Sequence, residues 1–458
     1  MVRPITKLTK SKLFLAFMSI PVLHGCVSFS NDSGFSEVVS TVQNRSDQTP
    51  VLHSFKESQA HTQEKIQSLL TTPLMAEDAV RIALINSPAL QAALTELGIA
   101  EADLVQAGKA PNPALSYVRL SRLDDEFNIE RLVLLDVMGL LTIPMKTAIE
   151  RHRFNQAKLQ AAIDILQLVA DTRKAYYIAV AAQQSVDSLE QMKEAAQASA
   201  ELSRRMVEVG NFNKLQYARE QVFYAEVMAK LAAAKLTALK EREHLIRLLG
   251  LWGKEIEFKL PKELAELPKE PKELSQLECQ ALINRLDVQA KKMEIEAKAK
   301  ALGLTKGTRF INVFELGYAH NTGQDIPRQR GYEISLNVPI FDWGDARIAK
   351  SQASYMQSVW QLRDIAINAR SEVREAYQTY RATYDMTKHY RDEIVPLRKF
   401  ILDQNMLRYN GMLVSSFELL SDAREHIAST NAYIENLRDF WINETDLQTA
   451  LMVKSPHD

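Results

Sequence analysis

The chain has 458 residues, of which 46% are hydrophobic and 25% are charged, and its formal net charge is −1. This balance leaves no basic surplus for binding nucleic acid, and the apolar content excludes a disordered chain. Glycine and proline number only 15 each, below the roughly 7% and 5% of average usage. Long uninterrupted helices are therefore expected, rather than a β-sandwich, a propeller or a glycine-rich nucleotide-binding enzyme.

The N-terminus has the pattern of a secretory signal peptide over residues 1–25. A basic segment precedes an apolar run over 13–23, which is shorter than the about 20 apolar residues that a membrane-spanning helix needs. The run ends at Leu23-His24-Gly25-Cys26, which resembles the lipobox of bacterial lipoproteins, so Cys26 is expected to be lipidated. A plain signal peptide with an incidental cysteine is the alternative. The only other cysteine, Cys279, is expected to be a small core residue.

The rest of the chain is predicted to consist of two similar halves. A polar lead-in over 26–75, expected to be extended, precedes the first half at 76–250, and a linker over 251–275 precedes the second half at 276–452, with a tail at 453–458. Each half is expected to begin with a helix, pass through a β-hairpin (115–137 and 309–340) and end in a long helical hairpin. The similarity of residues 86–92 to residues 284–290 supports this internal repeat.

The long helices follow from where the few glycines and prolines fall. Between Pro144 and Gly250 there is no proline and a single glycine, Gly210, which is expected to turn the first helical hairpin. A helix over about 146–208 would be roughly 95 Å long. Gly411 is expected to turn the second hairpin, and Pro396 should kink or break the helix before it.

The β-hairpins are predicted from alternating apolar and polar residues. In the second hairpin, Tyr332, Ile334 and Leu336 alternate with polar residues, and the partner strand is expected over 309–318 with a loop near 320–329. Four strands cannot close a membrane barrel alone, because single-chain barrels begin at about eight strands. If these strands enter a membrane, several chains must share one barrel.

Short motifs across both halves resemble the TolC-type outer membrane factors, the exit ducts of tripartite efflux systems. The segments that carry the resemblance are residues 79–84, 86–88, 110–113, 205–210, 338–344, 408–411 and 417–420. The resemblance covers about residues 76–452 and implies a mainly α fold with a small β part. In such a fold, long helical hairpins form a trimeric periplasmic α-barrel, and four strands per chain contribute to a shared 12-stranded outer-membrane β-barrel. Segments 248–253, 410–414 and 417–420 are most similar to the heavy-metal, copper-associated lipoprotein branch.

The resemblance also implies partners. It implies a homotrimer held in outer-membrane lipid, lipid-anchored, with a large periplasmic part. The tips at Gly210 and Gly411 would contact a periplasmic adaptor (membrane fusion) protein, which is itself bound to an inner-membrane pump. No nucleic acid partner is expected.

Four residues near the second tip match gate positions of this family. Glu418 and Asp422 match acidic residues that narrow the entrance, and Tyr409 and Arg408 match a gate-region pair. The alternatives are solvated helix charges for the first two residues and simple tip packing for the other two. Gln216 departs from the pattern, because it stands where some relatives carry an acid.

Neither a metal site nor a cofactor is predicted. The 14 methionines and 9 histidines show no clustered ligand spacing, and Met138, Met145, Met406 and Met412 are expected to be packing residues. No nucleophile, zinc or phosphate-loop motif supports an enzyme, so the sequence favours a passive efflux channel. The alternative is a periplasmic lipid-anchored coiled-coil adaptor or scaffold without a pore, a class with one helical hairpin rather than two similar halves.

Overall fold

The computed structural model describes residues 28–46, 49–51, 59–121, 127–311, 313–324 and 327–453. Cys26 and the predicted signal peptide lie outside these residues. The chain divides into two compact units. The strand unit comprises residues 28–34, 96–158 and 290–361, and the hairpin unit comprises residues 35–95, 159–289 and 362–453.

The described chain is mainly helical with one small antiparallel sheet, which confirms the predicted fold class. The helices are α1 (Phe35–Ser46), α2 (Gln59–Leu70), α3 (Ala76–Asn86), α4 (Pro88–Ala107), α5 (Val137–Glu208), α6 (Lys214–Leu249), α7 (Leu277–Asn284), α8 (Leu286–Gly307), α9 (Asp345–His389), α10 (Val395–Asn410) and α11 (Ser416–Met452). The strands are β1 (Ala114–Ser121), β2 (Phe127–Asp136), β3 (Phe314–Gly323) and β4 (Gln329–Leu336). The lead-in differs from its predicted extended form, since α1 and α2 lie within it and α1 buries Val38 and Val42.

Two pairs of helices are each broken at a single residue. Ser87 separates α3 from α4, and Arg285 separates α7 from α8; both have extended backbone angles, with ψ of 114° and 127°. A residue before proline avoids the helical region, and Pro88 then begins α4 at a position that needs no N–H donor. The single helix predicted from Ala76 is therefore wrong, and the chain bends by 50° between α3 and α4.

The four strands form one antiparallel sheet in the order β1-β2-β3-β4. The central β2–β3 pairing joins the two predicted hairpins. β3 begins at Phe314 rather than at the predicted residue 309. The Arg309 guanidinium donates to the Trp343 carbonyl at 2.8 Å and pairs with Asp345, which holds the segment before β3 against the start of α9 and away from the ladder.

Strand β2 passes directly into α5, the longest helix. α5 begins at Val137, earlier than the predicted residue 146, because the Asp136 carboxylate accepts a hydrogen bond from the Gly139 N–H at 2.7 Å and caps the first turn. α5 continues through Pro144 for 72 residues, about 108 Å at about 1.5 Å per residue. With α6 it makes the first helical hairpin; α10 and α11 close the second.

A π-helical turn over Tyr390–Ile394 lies between α9 and α10, and Pro396 is the second residue of α10. Proline has no N–H to donate, and its ring clashes with the carbonyl four residues earlier in a regular α-helix. The wider π turn relieves that clash, and the backbone stays helical on both sides, with φ and ψ of −60° and −42° at His389 and −64° and −44° at Val395. Pro396 therefore neither breaks the helical path nor ends it.

Two tyrosines of α9 hold the linker against the core of the hairpin unit. The Tyr384 hydroxyl donates to the Lys269 carbonyl at 2.7 Å, and the Tyr380 hydroxyl accepts from the Lys272 N–H at 2.9 Å. Both rings pack on Phe440, with centroid distances of 5.8 and 5.5 Å. Most of the linker is not helical. These side-chain contacts therefore fix it in place and satisfy backbone polar groups that no helix pairs.

Several expectations about individual residues are wrong. Cys279 is exposed rather than in the core. Met145, Met406 and Met412 are also exposed, Met412 at 93%. Among the described residues, no single helix is long and apolar enough to cross a membrane; α3 and α4 pass that test only as a bent pair.

Candidate functional site

The two faces of the sheet carry different side chains. Residues alternate between the faces, and the register of the three ladders assigns each residue to one of them. On one face, here named the apolar face, the exposed large side chains are Leu115, Tyr117, Val133, Leu135, Leu316, Tyr318, Tyr332, Ile334 and Leu336. The opposite face, here named the acidic face, carries all the acidic residues of the strands beside small and apolar ones: Glu130, Asp136, Glu315, Glu333, Gly317, Ala319, Val118, Leu120, Leu132 and Leu134.

Charge is separated completely between these faces within the described strands. Every Asp and Glu of β1–β4 lies on the acidic face, and every Arg and His lies on the apolar face. A sheet with one broad exposed apolar face suits a boundary between an apolar medium and water. A wall lined with carboxylates on the water side raises the local concentration of cations.

The first helical hairpin turns at residues 209–213, the first tip, through a Schellman motif. The Asn211 N–H donates to the Met206 carbonyl at 2.8 Å, and the Gly210 N–H donates to the Val207 carbonyl at 3.0 Å. Gly210 has φ of +80°, a left-handed conformation that costs other residues about 1–2 kcal/mol. Gly210 therefore lies at the turn, as the sequence predicts, and is required there by its backbone.

The second helical hairpin turns at residues 411–415, the second tip, through the same motif shifted by one residue. The Leu413 N–H donates to the Arg408 carbonyl and the Met412 N–H to the Tyr409 carbonyl, both at 2.9 Å. The left-handed residue is Met412, with φ of +58°, whereas Gly411 has φ of −83°. Gly411 is thus within the turn but is not the residue whose conformation requires glycine.

This difference predicts unequal effects of alanine at the two glycines. Gly210→Ala should lower the free energy of local opening at the first tip by about 1 kcal/mol, because alanine strains in the left-handed region. Gly411→Ala is the matched control and should change it little, since an added Cβ would lie 3.5 Å from its nearest neighbour. Hydrogen exchange at amides flanking each tip measures both, and equal losses would contradict the assigned turn conformations.

Matching caps begin the return helices at the two tips. Asn213 and Gln216 form a capping box: the Asn213 side chain accepts from the Gln216 N–H at 2.8 Å, and the Gln216 side chain accepts from the Asn213 N–H at 3.2 Å. At the second tip, the Ser415 hydroxyl accepts from the Glu418 N–H at 3.2 Å. Gln216 and Glu418 therefore occupy equivalent N3 positions. A capping box accepts either Glu or Gln at N3, which accounts for a glutamine at position 216.

The predicted gate residues are only partly brought together. The Arg408 guanidinium donates to the Asn405 side chain at 3.3 Å, and the Asn405 amide donates to the Asp422 carboxylate at 2.5 Å, so a polar chain crosses the second hairpin. Glu418 is exposed one helical turn before Asp422 on the same face of α11. Tyr409 is 40% exposed at the end of α10. Asn405, which sequence reasoning missed, links two of the four candidates.

A buried ion pair near the tips was also missed. Glu220 on α6 is 2% exposed, pairs with Arg424 on α11, and accepts from the Ser199 hydroxyl on α5. The Arg424 guanidinium lies 3.7 Å from the Phe223 ring centroid. This Glu220–Arg424 pair joins the first helical hairpin to the second, and a carboxylate this buried needs both partners to offset its lost hydration.

An exposed charge network covers the end of α5. The carboxylate of Glu201 accepts from Arg204 at 2.8 Å and from Arg205 at 2.9 Å. These two bonds, that to Arg204 first, lower the pKa of Glu201 to about 2. The network therefore keeps its charges at any pH above that value, and full exposure limits what it adds to stability.

Within the described part of the chain, no group of three or more His, Cys, Asp or Glu side chains is placed to hold a metal ion. Asp136 and Glu315 are direct ladder partners and Glu333 is the diagonal neighbour of Glu315, whereas Glu130 lies six residues from Asp136 along β2. Three of the four carboxylates therefore lie together toward the end of the sheet from which α5 and α9 leave.

Comparisons with known proteins agree with this geometry. Residues 135–251 match the family model described as outer membrane efflux protein. The CusC crystal structure has 18% identity and a TM-score of 0.67, with 89% of this chain and 98% of that chain covered. The Campylobacter jejuni CmeC outer membrane channel has 14% identity and a TM-score of 0.69, with 82% and 85% covered.

The open state of the Neisseria gonorrhoeae MtrE outer membrane channel has 16% identity and a TM-score of 0.67, with 82% of this chain and 89% of that chain covered. At these identities the likeness is one of fold. No curated protein sequence matches the chain. The family model covers residues 135–251, and the structural matches extend the likeness of fold over 82–89% of this chain.

Proposed function

We propose that this protein is an outer-membrane exit channel of a tripartite efflux system, a passive duct from periplasm to exterior. The observation that carries the proposal is the separation of charge across the sheet, with an exposed apolar face on one side and Glu130, Glu315 and Glu333 on the other. Three copies would place their sheets side by side in one shared 12-stranded barrel, with the apolar faces toward lipid and the acidic faces toward the lumen. The long helices would continue that wall as a periplasmic α-barrel.

An acidic lumen favours cationic cargo. Carboxylates repeated around a threefold axis attract cations and repel anions without binding either tightly. Together with the sequence segments most similar to the copper-associated branch, this supports heavy-metal ions such as copper as the proposed cargo. The charged wall alone would serve organic cations equally.

The tips are the proposed entrance and the contact for a periplasmic adaptor. Val209 and Leu215 near the first tip, and Met412 and Leu413 at the second, are exposed by 62% or more, and such apolar patches mark surfaces for protein partners. The Glu220–Arg424 pair would hold the two helical hairpins of one chain together until the adaptor separates them. Glu418 and Asp422 would then line the entrance, and an inner-membrane pump would supply the energy.

The outer-membrane location is proposed to include a lipid anchor at Cys26. Cys26→Ser should abolish incorporation of labelled palmitate into the chain in growing cells, while the protein still reaches the envelope. Persistent labelling of the serine variant would contradict the lipobox assignment and leave the sheet as the membrane contact.

Conductance in planar bilayers tests the channel directly. The purified trimer should conduct ions, and Glu130→Gln with Glu315→Gln and Glu333→Gln should lower the potassium-to-chloride permeability ratio several-fold, because the acidic face then keeps only Asp136 of its four carboxylates. The matched control, Glu263→Gln with Glu270→Gln, removes two exposed acids of the linker and should leave the ratio unchanged.

The opposite outcome is equally specific. A trimer that stays silent even after Glu418→Gln and Asp422→Asn would contradict a gated channel and favour the adaptor or scaffold alternative. An unchanged permeability ratio in a conducting triple variant would instead place the acidic face away from the lumen.

A further inference from the structure

A row of basic side chains crosses three neighbouring strands on the apolar face. Arg131 of β2 is the ladder partner of His320 of β3, and His320 is the partner of Arg330 of β4. Neighbouring strands lie about 4.8 Å apart, so these three residues span about 10 Å. Arg119 of β1 is the diagonal neighbour of Arg131 on the same face. We name Arg119, Arg131, His320 and Arg330 the basic row.

Two arginines of the basic row contact aromatic and hydroxyl groups rather than carboxylates. The Arg131 guanidinium lies 5.9 Å from the Tyr117 ring centroid and donates to the Thr322 hydroxyl at 3.2 Å. Arg119 lies 5.2 Å from the Phe127 ring centroid. No described strand residue on this face is acidic. Within the described strands, no carboxylate on this face balances the positive charge of the row.

The position of the row along the strands is also specific. Arg330 is six residues from Leu336, about 20 Å at about 3.3 Å per residue, and the rows between them are apolar or aromatic. The row lies toward the β1–β2 and β3–β4 turns, while α5 and α9 leave from the opposite end of the sheet. If the helices are periplasmic, the basic row is near the outer rim of the apolar band.

Charge on a lipid-facing strand needs a partner of opposite sign. An Arg near the membrane midplane costs roughly 2–4 kcal/mol, falling to about 0–1 kcal/mol near the interface. Several arginines in one row also repel each other unless an anion lies between them. Guanidinium groups bind phosphate through paired N–H donors, which is the geometry that a row of Arg side chains offers.

We propose that the basic row binds the phosphate groups of the phosphorylated glycolipid that forms the outer leaflet of a bacterial outer membrane. This inference rests on the proposed function, since it requires the apolar face to contact that leaflet. In a trimer the row would recur three times around the barrel. The lipid phosphates would neutralise the positive charge of the row and fix the depth of the barrel in the membrane.

Lipid binding to the full-length protein in detergent tests the proposal. Diphosphoryl lipid A, its dephosphorylated form and phosphatidylglycerol are titrated separately, and bound lipid is counted by native mass spectrometry. The protein should hold diphosphoryl lipid A about ten-fold more tightly than the dephosphorylated form, as expected for at least one charge-assisted hydrogen bond. Arg119→Gln with Arg131→Gln and Arg330→Gln should remove that preference.

The matched control is Lys292→Gln with Lys306→Gln, two exposed cations of α8 and not of the strands, and it should keep the preference. Three results would each overturn the proposal. The first is equal binding of the two lipid A forms, and the second is equal binding of phosphatidylglycerol and diphosphoryl lipid A. The third is a triple arginine variant that keeps the full preference for diphosphoryl lipid A. Bilayer conductance of the same variant separates this result from the channel proposal. A conducting trimer without phosphate preference rejects the lipid site alone, and a trimer that stays silent even with Glu418→Gln and Asp422→Asn rejects the channel.

Discussion

Replacing Arg424 with methionine is expected to open the helical tips. The substitution leaves the Glu220 carboxylate, 2% exposed, with the Ser199 hydroxyl as its remaining side-chain partner. Removing one partner of a buried ion pair costs about 3–5 kcal/mol, so the amides of α5 and α6 around these residues should exchange about 100-fold faster or more. In bilayers, the same variant should spend more time in its conducting state.

A neighbouring ion pair gives the control. Arg398 pairs with Glu425 of α11, but their side chains are 42% and 50% exposed. Exposed pairs contribute about 0–1 kcal/mol, so Arg398→Met should alter exchange little. Adding Glu220→Leu to Arg424→Met removes the unpaired charge and should restore part of the protection. Equal effects of the Arg424 and Arg398 variants would show that the Glu220–Arg424 pair does not hold the helical hairpins together.

The periodic features of the chain could be predicted from sequence because they are local. Alternation identifies β4, and the scarcity of breakers identifies α5 and α6. The predicted starts of α5 and β3 are wrong because a single side-chain hydrogen bond sets each of them. Asp136 starts α5 early through its hydrogen bond to Gly139, and Arg309 delays β3 by binding Trp343, 34 residues away. Neither effect has a periodic signal.

The two tips show a subtler limit. Glycine is the usual residue in the left-handed turn position, so Gly210 and Gly411 appear equivalent in sequence. The caps give the better alignment. Asn213 with Gln216, and Ser415 with Glu418, are the N-cap and N3 residues of the two return helices. Aligning the hairpins on these caps makes Met412 the equivalent of Gly210. The same alignment makes Glu220 the equivalent of Asp422. This equivalence is the signal in the sequence that could have identified Glu220.

Buried charges are the features that sequence reasoning misses most. Glu220 and Arg424 are 204 residues apart in the chain, and either alone looks like a solvated helix charge. Arg285 is a second case. It lies in the break between α7 and α8, is 1% exposed, and meets Glu372, which is 87 residues away. Only the folded hairpin unit shows that these residues are paired.

Arg285→Met is expected to destabilise the hairpin unit more than any exposed substitution. Arg285 donates to both Asp287 oxygens at 3.1 and 2.7 Å and to Glu372 at 2.5 Å, so its loss leaves two partly buried carboxylates facing each other. The expected cost is about 3–5 kcal/mol, which should lower the apparent melting temperature, followed by circular dichroism at a fixed scan rate, by on the order of 5–10 °C.

Arg285→Lys should recover only part of this loss, because an ammonium group cannot reproduce the paired donors that bind Asp287 and reach Glu372 together. The matched control is Arg374→Met, whose ion pair with Glu278 is 3.5 Å long with side chains 59% and 43% exposed; it should shift melting by no more than about 2 °C. Comparable shifts for Arg285→Met and Arg374→Met would mean that the break between α7 and α8 is stabilised by its apolar packing rather than by the buried guanidinium.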